Sequence, residues 1–223
     1  MKHSTAHLKD SGRLLDDLRG SKTALELLFR AGKATEIHER ELTKVRPGLD
    51  AFEVNGKTLR RRTVLEMIHD ARAARELSYA PYSHFNVGAA VLAENQRGFF
   101  AIKSGCNIEN AAYSPTFCAE CTAAVKAVSE GFRRFHAYAV VGGFDDSMPQ
   151  ELRDAAANDY ITPCGRCRQV TKEFEVDPCM VIVAKDAGQI LLTTLEFLLP
   201  AGFGPKSIGA DPASYARHGA RRK

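Results

Sequence analysis

Four residues in two short stretches of the chain could hold a metal and move protons: Cys118, Glu120, Cys164 and Cys167. Thiolates are strong, soft zinc ligands, and a catalytic zinc usually has three protein ligands and one open position for water. The three cysteines supply such a ligand set. Glu120 lies two residues after the first cysteine, close enough to reach that water without binding the metal. The pattern therefore predicts a zinc centre with an adjacent general acid and base.

Both stretches are predicted to begin helices, one from about Cys118 to Glu130 and one from about Cys164 to Phe174. Pro163, just before the second helix, is typical of a helix N-terminus. The helix dipole favours negative charge at that end, and it lowers the pKa of a thiol placed there. Two helix N-termini would therefore partly offset the net negative charge of three thiolates around one Zn²⁺.

The elements around these stretches alternate between helical and strand periodicity. In chain order they predict a helix from 63 to about 80, strands at 86–93 and 99–103, a helix at 118–130, a strand at 136–141, a short helix near 150–157, a helix at 164–174, strands at 180–185 and 190–192, and a short helix at 194–199. This order predicts an α/β fold, a three-layer α/β/α sandwich with a mixed five-stranded sheet.

The composition is typical of a globular protein of one domain with an appendage, since the chain has 223 residues and a formal net charge of +4. Basic runs at 60–62 and 221–223 indicate solvated charge rather than a nucleic-acid patch. No apolar segment has signal-peptide or membrane-span length, so we expect a soluble cytoplasmic protein without membrane association. In a reducing compartment, close cysteine pairs favour metal over disulfide.

Residues 1–61 read as a helical and hairpin N-terminal extension of unknown role, either packed on the domain or a partly ordered arm. Leucines recur at helical spacing between Leu14 and Phe29, and Asn55-Gly56 is a hairpin signal between 52–54 and 57–59. We assign 62–205 to the zinc-dependent domain and 206–223 to a loosely ordered basic tail. Removal of the residues before Thr63 is expected to leave most activity intact but to lower stability.

A sugar-binding pair is the second chemical possibility. Asn107 and Glu109 lie two residues apart in an extended polar loop, so their side chains project to the same side. An amide both donates and accepts hydrogen bonds, and a carboxylate accepts from two hydroxyl groups, which suits a ribose diol. Asn and Glu in a loop are more often simply solvated, so this pair alone is a weak signal.

Residues from about 62 to 204 resemble the cytidine deaminase family, in its short, homotetrameric branch with three zinc cysteines. Five ordered stretches carry the resemblance: YAPYSHFNVGAA (79–90), GCNIENAAY (105–113), CAE (118–120), PCGRCRQV (163–170) and LLPAGFGP (198–205). It implies zinc-dependent hydrolytic deamination of cytidine or deoxycytidine, with release of ammonia and one Zn²⁺ per chain, in pyrimidine salvage.

The resemblance also implies a role for each matched position. The metal ligands and the proton shuttle are those named above, with Cys118, Cys164 and Cys167 on zinc and Glu120 off it. The substrate contacts are Phe85 against the pyrimidine, the backbone of Ala119 at its edge, Asn107 and Glu109 on the ribose, and Tyr113 and Phe203 completing the sites of neighbouring subunits. A homotetramer with shared sites for a small nucleoside is therefore expected.

Three features depart from that family's pattern. The family commonly has Arg directly after the catalytic Glu, where it donates to a zinc thiolate, but this chain has Cys121. Arg166 is a candidate replacement donor. The connection from Gly142 to Ile161 and the N-terminal extension are both unusually long.

Two other interpretations stay open. Cys121 completes a CxxC…CxxC set that could form a closed structural zinc site of four cysteines in a non-catalytic protein, although the gap between the pairs exceeds the ~15–20 residues typical of such sites. The substrate could also be another aminated base or nucleoside, or a base within nucleic acid. Asn107, Glu109 and Phe203 favour a free nucleoside, because they would enclose a sugar.

Overall fold

The computed structural model describes Phe29, residues 31–43 and residues 51–210. In chain order its strands are β1 (Thr35–His38), β2 (Ala51–Val54), β3 (Lys57–Arg60), β4 (Phe85–Asn95), β5 (Phe100–Cys106), β6 (Phe132–Phe144), β7 (Glu175–Ala184) and β8 (Gln189–Thr194). The helices are α1 (Glu39–Thr43), α2 (Arg61–Arg75), α3 (Ala119–Ser129), α4 (Gln150–Asn158), α5 (Gly165–Phe174) and α6 (Leu195–Leu198), followed by a 3-10 turn at Pro205–Ile208. Among these helices, none combines the length and the apolar character that crossing a bilayer requires.

The central sheet is mixed and has the strand order β1-β8-β7-β6-β4-β5. The β6–β7 pair is parallel and the other neighbours are antiparallel. The predicted α/β class is confirmed, but the prediction of five strands is wrong by one. The sixth strand is β1, which pairs with β8 from Thr35↔Leu192 to His38↔Gln189. Its four residues are partly exposed and mostly polar, as in many edge strands, so they give no alternating pattern to detect.

Alternating residues of the buried strands separate the core into two layers, because successive side chains of a strand point to opposite faces. On β7, Met180 and Ile182 pack in the cluster that contains α2, whereas Val181 and Val183 pack in the cluster that contains α3 and α5. Helices therefore cover both faces, which gives the predicted three layers. The helices that begin at the two cysteine stretches, α3 and α5, lie on the same face.

Two glycines allow the helices to approach the sheet closely. A Cβ atom at Gly105 would lie 2.6 Å from the backbone nitrogen of Ala123, and one at Gly88 would lie 1.9 Å from the carbonyl oxygen of Ala71. Any larger residue at these positions would push α3 or α2 away from the sheet. Gly105 therefore helps to fix the height of the helix that carries Glu120.

The predicted hairpin is confirmed by the pairing of β2 with β3. Asn55 and Gly56 adopt φ values of 51° and 79°, as a type I′ turn requires. The predicted helical segment between Leu14 and Phe29 lies outside the described residues, apart from Phe29 itself. Arg61 donates to the Glu41 carbonyl, which agrees with ordinary surface charge in the 60–62 run.

The N-terminal segment completes the hydrophobic core rather than lying over a finished surface. Leu42, Val54 and Leu59 are buried in the cluster that contains α2, and Ala34 is buried in the opposite cluster. The domain boundary between residues 61 and 62 was placed where the sequence resemblance begins, and it stays a prediction. These contacts agree with a loss of stability when the preceding residues are removed, and retention of most activity stays a prediction.

We predict that a chain starting at Thr63 loses most of its stability. Burying one large aliphatic side chain contributes about 1.5–3 kcal/mol, so losing Leu42, Val54 and Leu59 costs about 5 kcal/mol, within the ~5–15 kcal/mol that holds a typical domain together. Thermal and denaturant unfolding would measure the loss. A chain starting at Phe29 keeps these contacts and is the matched control. An unchanged melting temperature in the shorter chain would contradict the prediction.

Candidate metal centre and pocket

Two helix N-termini position the three cysteines. Cys118 is the N-cap residue of α3 and Cys164 is the N-cap residue of α5, both with extended backbone, while Cys167 lies in the first turn of α5. Their thiols stand where each helix presents unpaired N–H groups and the positive end of its dipole. The expected placement of both stretches at helix starts is therefore confirmed.

The geometry of the three sulfur atoms fits a zinc ion. Cys118 Sγ lies 3.9 Å from Cys164 Sγ, which lies 3.4 Å from Cys167 Sγ, and all three lie within 4.8 Å of one another. A tetrahedral zinc with bonds of about 2.3 Å places its sulfur ligands about 3.8 Å apart. Soft thiolates also suit zinc by their chemistry. The three cysteines could therefore hold Zn²⁺ with little rearrangement.

Cys121 lies beside this set but outside it. Its Sγ is 3.8 Å from Cys167 Sγ, and it is buried one turn after Cys118 on α3. Among the described residues, the group whose ligand atoms all lie within 4.8 Å of one another contains only Cys118, Cys164 and Cys167. This arrangement favours three sulfur ligands over a closed set of four.

The surroundings favour the ionised form of one ligand. The neighbouring thiol of Cys167, then that of Cys164 and the charge of Arg166, lower the pKa of Cys118 to about 6 despite its partial burial. The same hydrogen bond raises the pKa of Cys167, so Cys118 is the thiolate near neutral pH and Cys167 keeps its proton until a metal displaces it.

Arg166 does not make the thiolate hydrogen bond that its position suggested. It donates to the carbonyl oxygen of Thr116 at 3.0 Å, and its guanidinium lies 5.5 Å from the ring centroid of Phe117. Among the hydrogen bonds of the described residues, Arg166 makes none to a cysteine. Its favourable effect on Cys118 is that of a nearby charge, because Phe117 and Thr116 hold the guanidinium to one side.

Glu120 is a buried carboxyl group next to the sulfur atoms. It is 5 % exposed, and burial raises its pKa, with a further contribution from the negative charge of Cys118. A carboxyl group in this environment holds a proton more readily than one in water. Its position on the first turn of α3 follows directly from the Cys-x-Glu spacing.

A cavity of about 340 Å³ opens beside Glu120, a size that suits a small organic molecule. The residues that line it include the predicted Phe85, Asn107, Glu109, Cys118, Ala119, Glu120 and Cys164. The other lining residues were not predicted from the sequence: Ser83, Val87, Thr116, Phe117, Val140, Ile161 and Thr162. Phe117, Ile161 and Thr162 lie just before the two cysteine stretches, and that adjacency was the available signal.

Phe85 forms a rigid apolar wall of the cavity. Its ring packs edge-on against Phe144, with centroids 4.8 Å apart and an interplanar angle of 87°. A Cβ atom at Gly142 would lie 3.1 Å from the Phe85 ring and 3.4 Å from Ile161. The absence of a side chain at that position therefore leaves room for both walls.

Asn107 and Glu109 both line the cavity, but they are held differently. Asn107 Oδ1 accepts from the Val87 N–H and its Nδ2 donates to the Phe85 carbonyl, both at 2.9 Å, so this amide braces β4 and keeps a second N–H to donate. Glu109 Oε2 accepts from the N–H groups of Tyr82 and Ser83. Partial burial would raise the pKa of Glu109, but hydrogen bonds from Ser83 and Tyr82 lower it overall, so the group is ionised.

Tyr113 and Phe203 do not line this cavity in their own chain. Tyr113 is 77 % exposed and borders a neighbouring hollow that it shares with Tyr82 and Glu109. Phe203 is 62 % exposed, and its carbonyl accepts a hydrogen bond from Gln169. Both aromatic rings are therefore available to contact another molecule.

The family model, the related sequences and the solved structure that match this chain are all described as cytidine deaminases. Residues 62–183 match the family described as the cytidine and deoxycytidylate deaminase zinc-binding region. A cytidine deaminase of Sporosarcina psychrophila is 44% identical over 145 residues, covering 65% of this chain and 94% of the relative. One from Halalkalibacterium halodurans is 41% identical over 137 residues, covering 61% and 91%. The crystal structure of cytidine deaminase from Burkholderia pseudomallei superposes with a TM-score of 0.52 at 38% identity, covering 62% of this chain and 98% of that one.

Proposed function

The chain belongs to the cytidine and deoxycytidylate deaminase family, and we propose that it converts cytidine and deoxycytidine to uridine and deoxyuridine with release of ammonia. One observation carries the proposal. A buried carboxyl group, Glu120, lies in a cavity beside three cysteine sulfurs spaced for a metal. Hydrolytic loss of an amine from an aminopyrimidine needs an activated water and a group that relays protons, and this arrangement supplies both.

We propose that Cys118, Cys164 and Cys167 hold one Zn²⁺ per chain. When bound, the metal would act as a Lewis acid and make water nucleophilic at neutral pH. Glu120 takes a proton from the attacking water and delivers it to N3 of the pyrimidine. It then carries the second water proton to the amine, so that the C4–N4 bond breaks and ammonia leaves. The raised pKa of Glu120 suits a group that accepts and returns protons.

The cavity also offers contacts for the rest of a nucleoside. Phe85 would pack against the pyrimidine ring, and the main chain of Ala119 would contact its edge. Asn107 has a second amide proton to donate and Glu109 is an ionised acceptor, so the pair could hold the ribose hydroxyl groups. These contacts favour a free nucleoside over a base within nucleic acid.

Tyr113 and Phe203 would complete the sites of neighbouring subunits in a homotetramer. Their exposure and their position outside the cavity of their own chain support this proposal. A neighbouring aromatic ring would close the open side of the cavity, which excludes water and strengthens the electrostatic interactions within it.

We also propose that the enzyme works in pyrimidine salvage in the cytoplasm. Close cysteine pairs such as Cys164 and Cys167 favour metal over disulfide in a reducing compartment, which would keep these thiols available to the metal.

The decisive experiment measures ammonia release from cytidine, deoxycytidine and a single-stranded oligonucleotide by the parent and by Glu120→Gln. Gln has the same shape but cannot accept and return a proton. We expect turnover of the nucleosides by the parent, with a loss of about 10²–10⁴-fold or more in the variant. Glu151→Gln, an exposed carboxylate on α4, is the matched control and should behave as the parent. Glu120→Gln activity within tenfold of the parent would refute the proposed role.

Zinc content distinguishes a site with three cysteine ligands from a site with four. We expect Cys164→Ser to lose zinc and Cys121→Ser to retain about one zinc per chain, because only the former belongs to the close sulfur set. Metal analysis of the purified variants provides the measurement. Loss of zinc from Cys121→Ser would instead favour the structural four-cysteine site.

Complementation tests whether the sites are shared. Phe203→Ala and Glu120→Gln should each be nearly inactive alone, since each lacks one part of every site. Co-expressed, they should form mixed assemblies in which roughly a quarter of the sites combine an intact Glu120 with an intact neighbouring Phe203. Light scattering on the same samples should show a tetramer. Mixed assemblies without regained activity, or a fully active monomer, would exclude the shared site.

A further inference from the structure

The loop 160–164 forms one wall of the cavity. Ile161, Thr162 and Cys164 all line it, and Cys164 is also one of the three close sulfur residues. Any shift of this loop would therefore move a pocket wall and a metal ligand together. The contacts that hold this loop therefore determine the positions of the cavity wall and of Cys164 before substrate binds.

The far end of the loop is fixed from within the region that matches the deaminase family. Arg168, one turn into α5, donates to the carbonyl of Pro163 at 2.6 Å and to Thr162 Oγ1 at 3.2 Å. It also donates to the carbonyl of Leu198 at 2.8 Å. One guanidinium thus ties the loop to both α5 and α6.

The near end is fixed by the N-terminal segment, which lies outside the family match. The hydroxyl group of Tyr160 donates to the Glu36 carboxylate at 2.5 Å, and the Lys185 ammonium lies 4.0 Å from the centroid of the Tyr160 ring. Tyr160 is 7 % exposed and Glu36 is exposed, so the ring is buried while the hydrogen bond lies near the protein surface. Hydrogen bonds from a neutral hydroxyl to a carboxylate are among the strong ones.

Glu36 is itself held in place. It lies on β1, which pairs with β8 along its whole length. The Thr193 hydroxyl group donates to the carbonyl of Lys33 just before the strand, and Glu39 just after it binds Arg72 through two hydrogen bonds. The carboxylate is therefore presented to Tyr160 from a sheet edge anchored on both sides.

We propose that Glu36 and Tyr160 are positioning residues, through which the N-terminal segment sets the place of the loop that brings Ile161, Thr162 and Cys164 into the cavity. The inference rests on the proposed deaminase function for its kinetic consequences. It gives Glu36, which lies outside the family match, a part in positioning the catalytic site, in addition to the hydrophobic-core contacts of its segment.

The direct test is Tyr160→Phe, which removes one hydroxyl group and leaves the ring beneath Lys185. Displacement of a positioned group by a fraction of an ångström is enough to lower activity severalfold. We expect KM for cytidine to rise roughly five- to tenfold with a smaller fall in kcat, and zinc to pass to a chromogenic chelator severalfold faster. Glu36→Ala should reproduce both changes.

Two further variants separate positioning from stability. The double variant Glu36→Ala/Tyr160→Phe should be no worse than either single variant, because both remove the same interaction. Glu36→Gln keeps an oxygen that can accept from Tyr160, so it should recover most of the parental KM. Leu59→Ala removes a buried contact of the N-terminal segment in the cluster on the opposite face of the sheet from Tyr160. It should lower the melting temperature while KM and the rate of zinc transfer stay within twofold of the parent.

The inference is overturned if Tyr160→Phe has the KM and zinc-transfer rate of the parent, or if the effects of the two single variants add. It is also overturned if Leu59→Ala changes KM as much as Glu36→Ala, since the effect would then be general destabilisation. Zinc transfer is read without substrate. A parent that binds zinc but fails to deaminate cytidine would refute the proposed function. The zinc-transfer rates of the variants would still test whether Glu36 and Tyr160 position the loop.

Discussion

The convergence of two helix N-termini on one face of the sheet is the constraint on which the rest of the structure depends. Cys118 and Cys164 are 46 positions apart, yet their sulfur atoms lie 3.9 Å apart because α3 and α5 both begin at the same place. The parallel pair β6–β7 makes this possible, since its strands run in the same direction and the connection between them crosses that face. Gly105 then lets α3 lie directly on β5.

Negative charge is concentrated at this point, and the fold compensates for it without a guanidinium on the sulfur atoms. Two helix dipoles point their positive ends at the cysteines. Arg166 adds a positive charge from one side, held there by the Thr116 carbonyl and the Phe117 ring. Cys121 is a small, buried thiol whose sulfur lies 3.8 Å from Cys167 Sγ, and the hydrogen bond from Cys167 lowers its pKa. A cysteine in that position supplies none of the positive charge that an arginine would bring.

The chain outside the family match is bound to the deaminase fold by both apolar and polar contacts. Leu42, Val54 and Leu59 fill space beside α2, where a six-stranded sheet is too wide for one helix to cover. β1 adds an edge strand, and through Glu36 it reaches the end of the long connection that carries α4. The N-terminal segment and the connection from Gly142 to Ile161 thus contact each other at Tyr160, next to the loop that lines the cavity.

The sequence alone determined the chemistry and the local placement of its parts. The motifs Cys-x-Glu and Pro-Cys-x-x-Cys place the cysteines and the carboxyl group of Glu120 within one helical turn of a predicted helix N-terminus. The Asn55-Gly56 turn likewise has few alternatives to a hairpin. Such short-range geometry is set by the backbone itself. Only the tertiary structure decided the relations between distant segments. It separated Cys121 from the close sulfur set, turned Arg166 toward a carbonyl, placed β1 at the sheet edge and brought Glu36 to Tyr160. These outcomes depend on packing between elements far apart in the chain, where one residue's partner is fixed by the positions of all the others and leaves no local pattern.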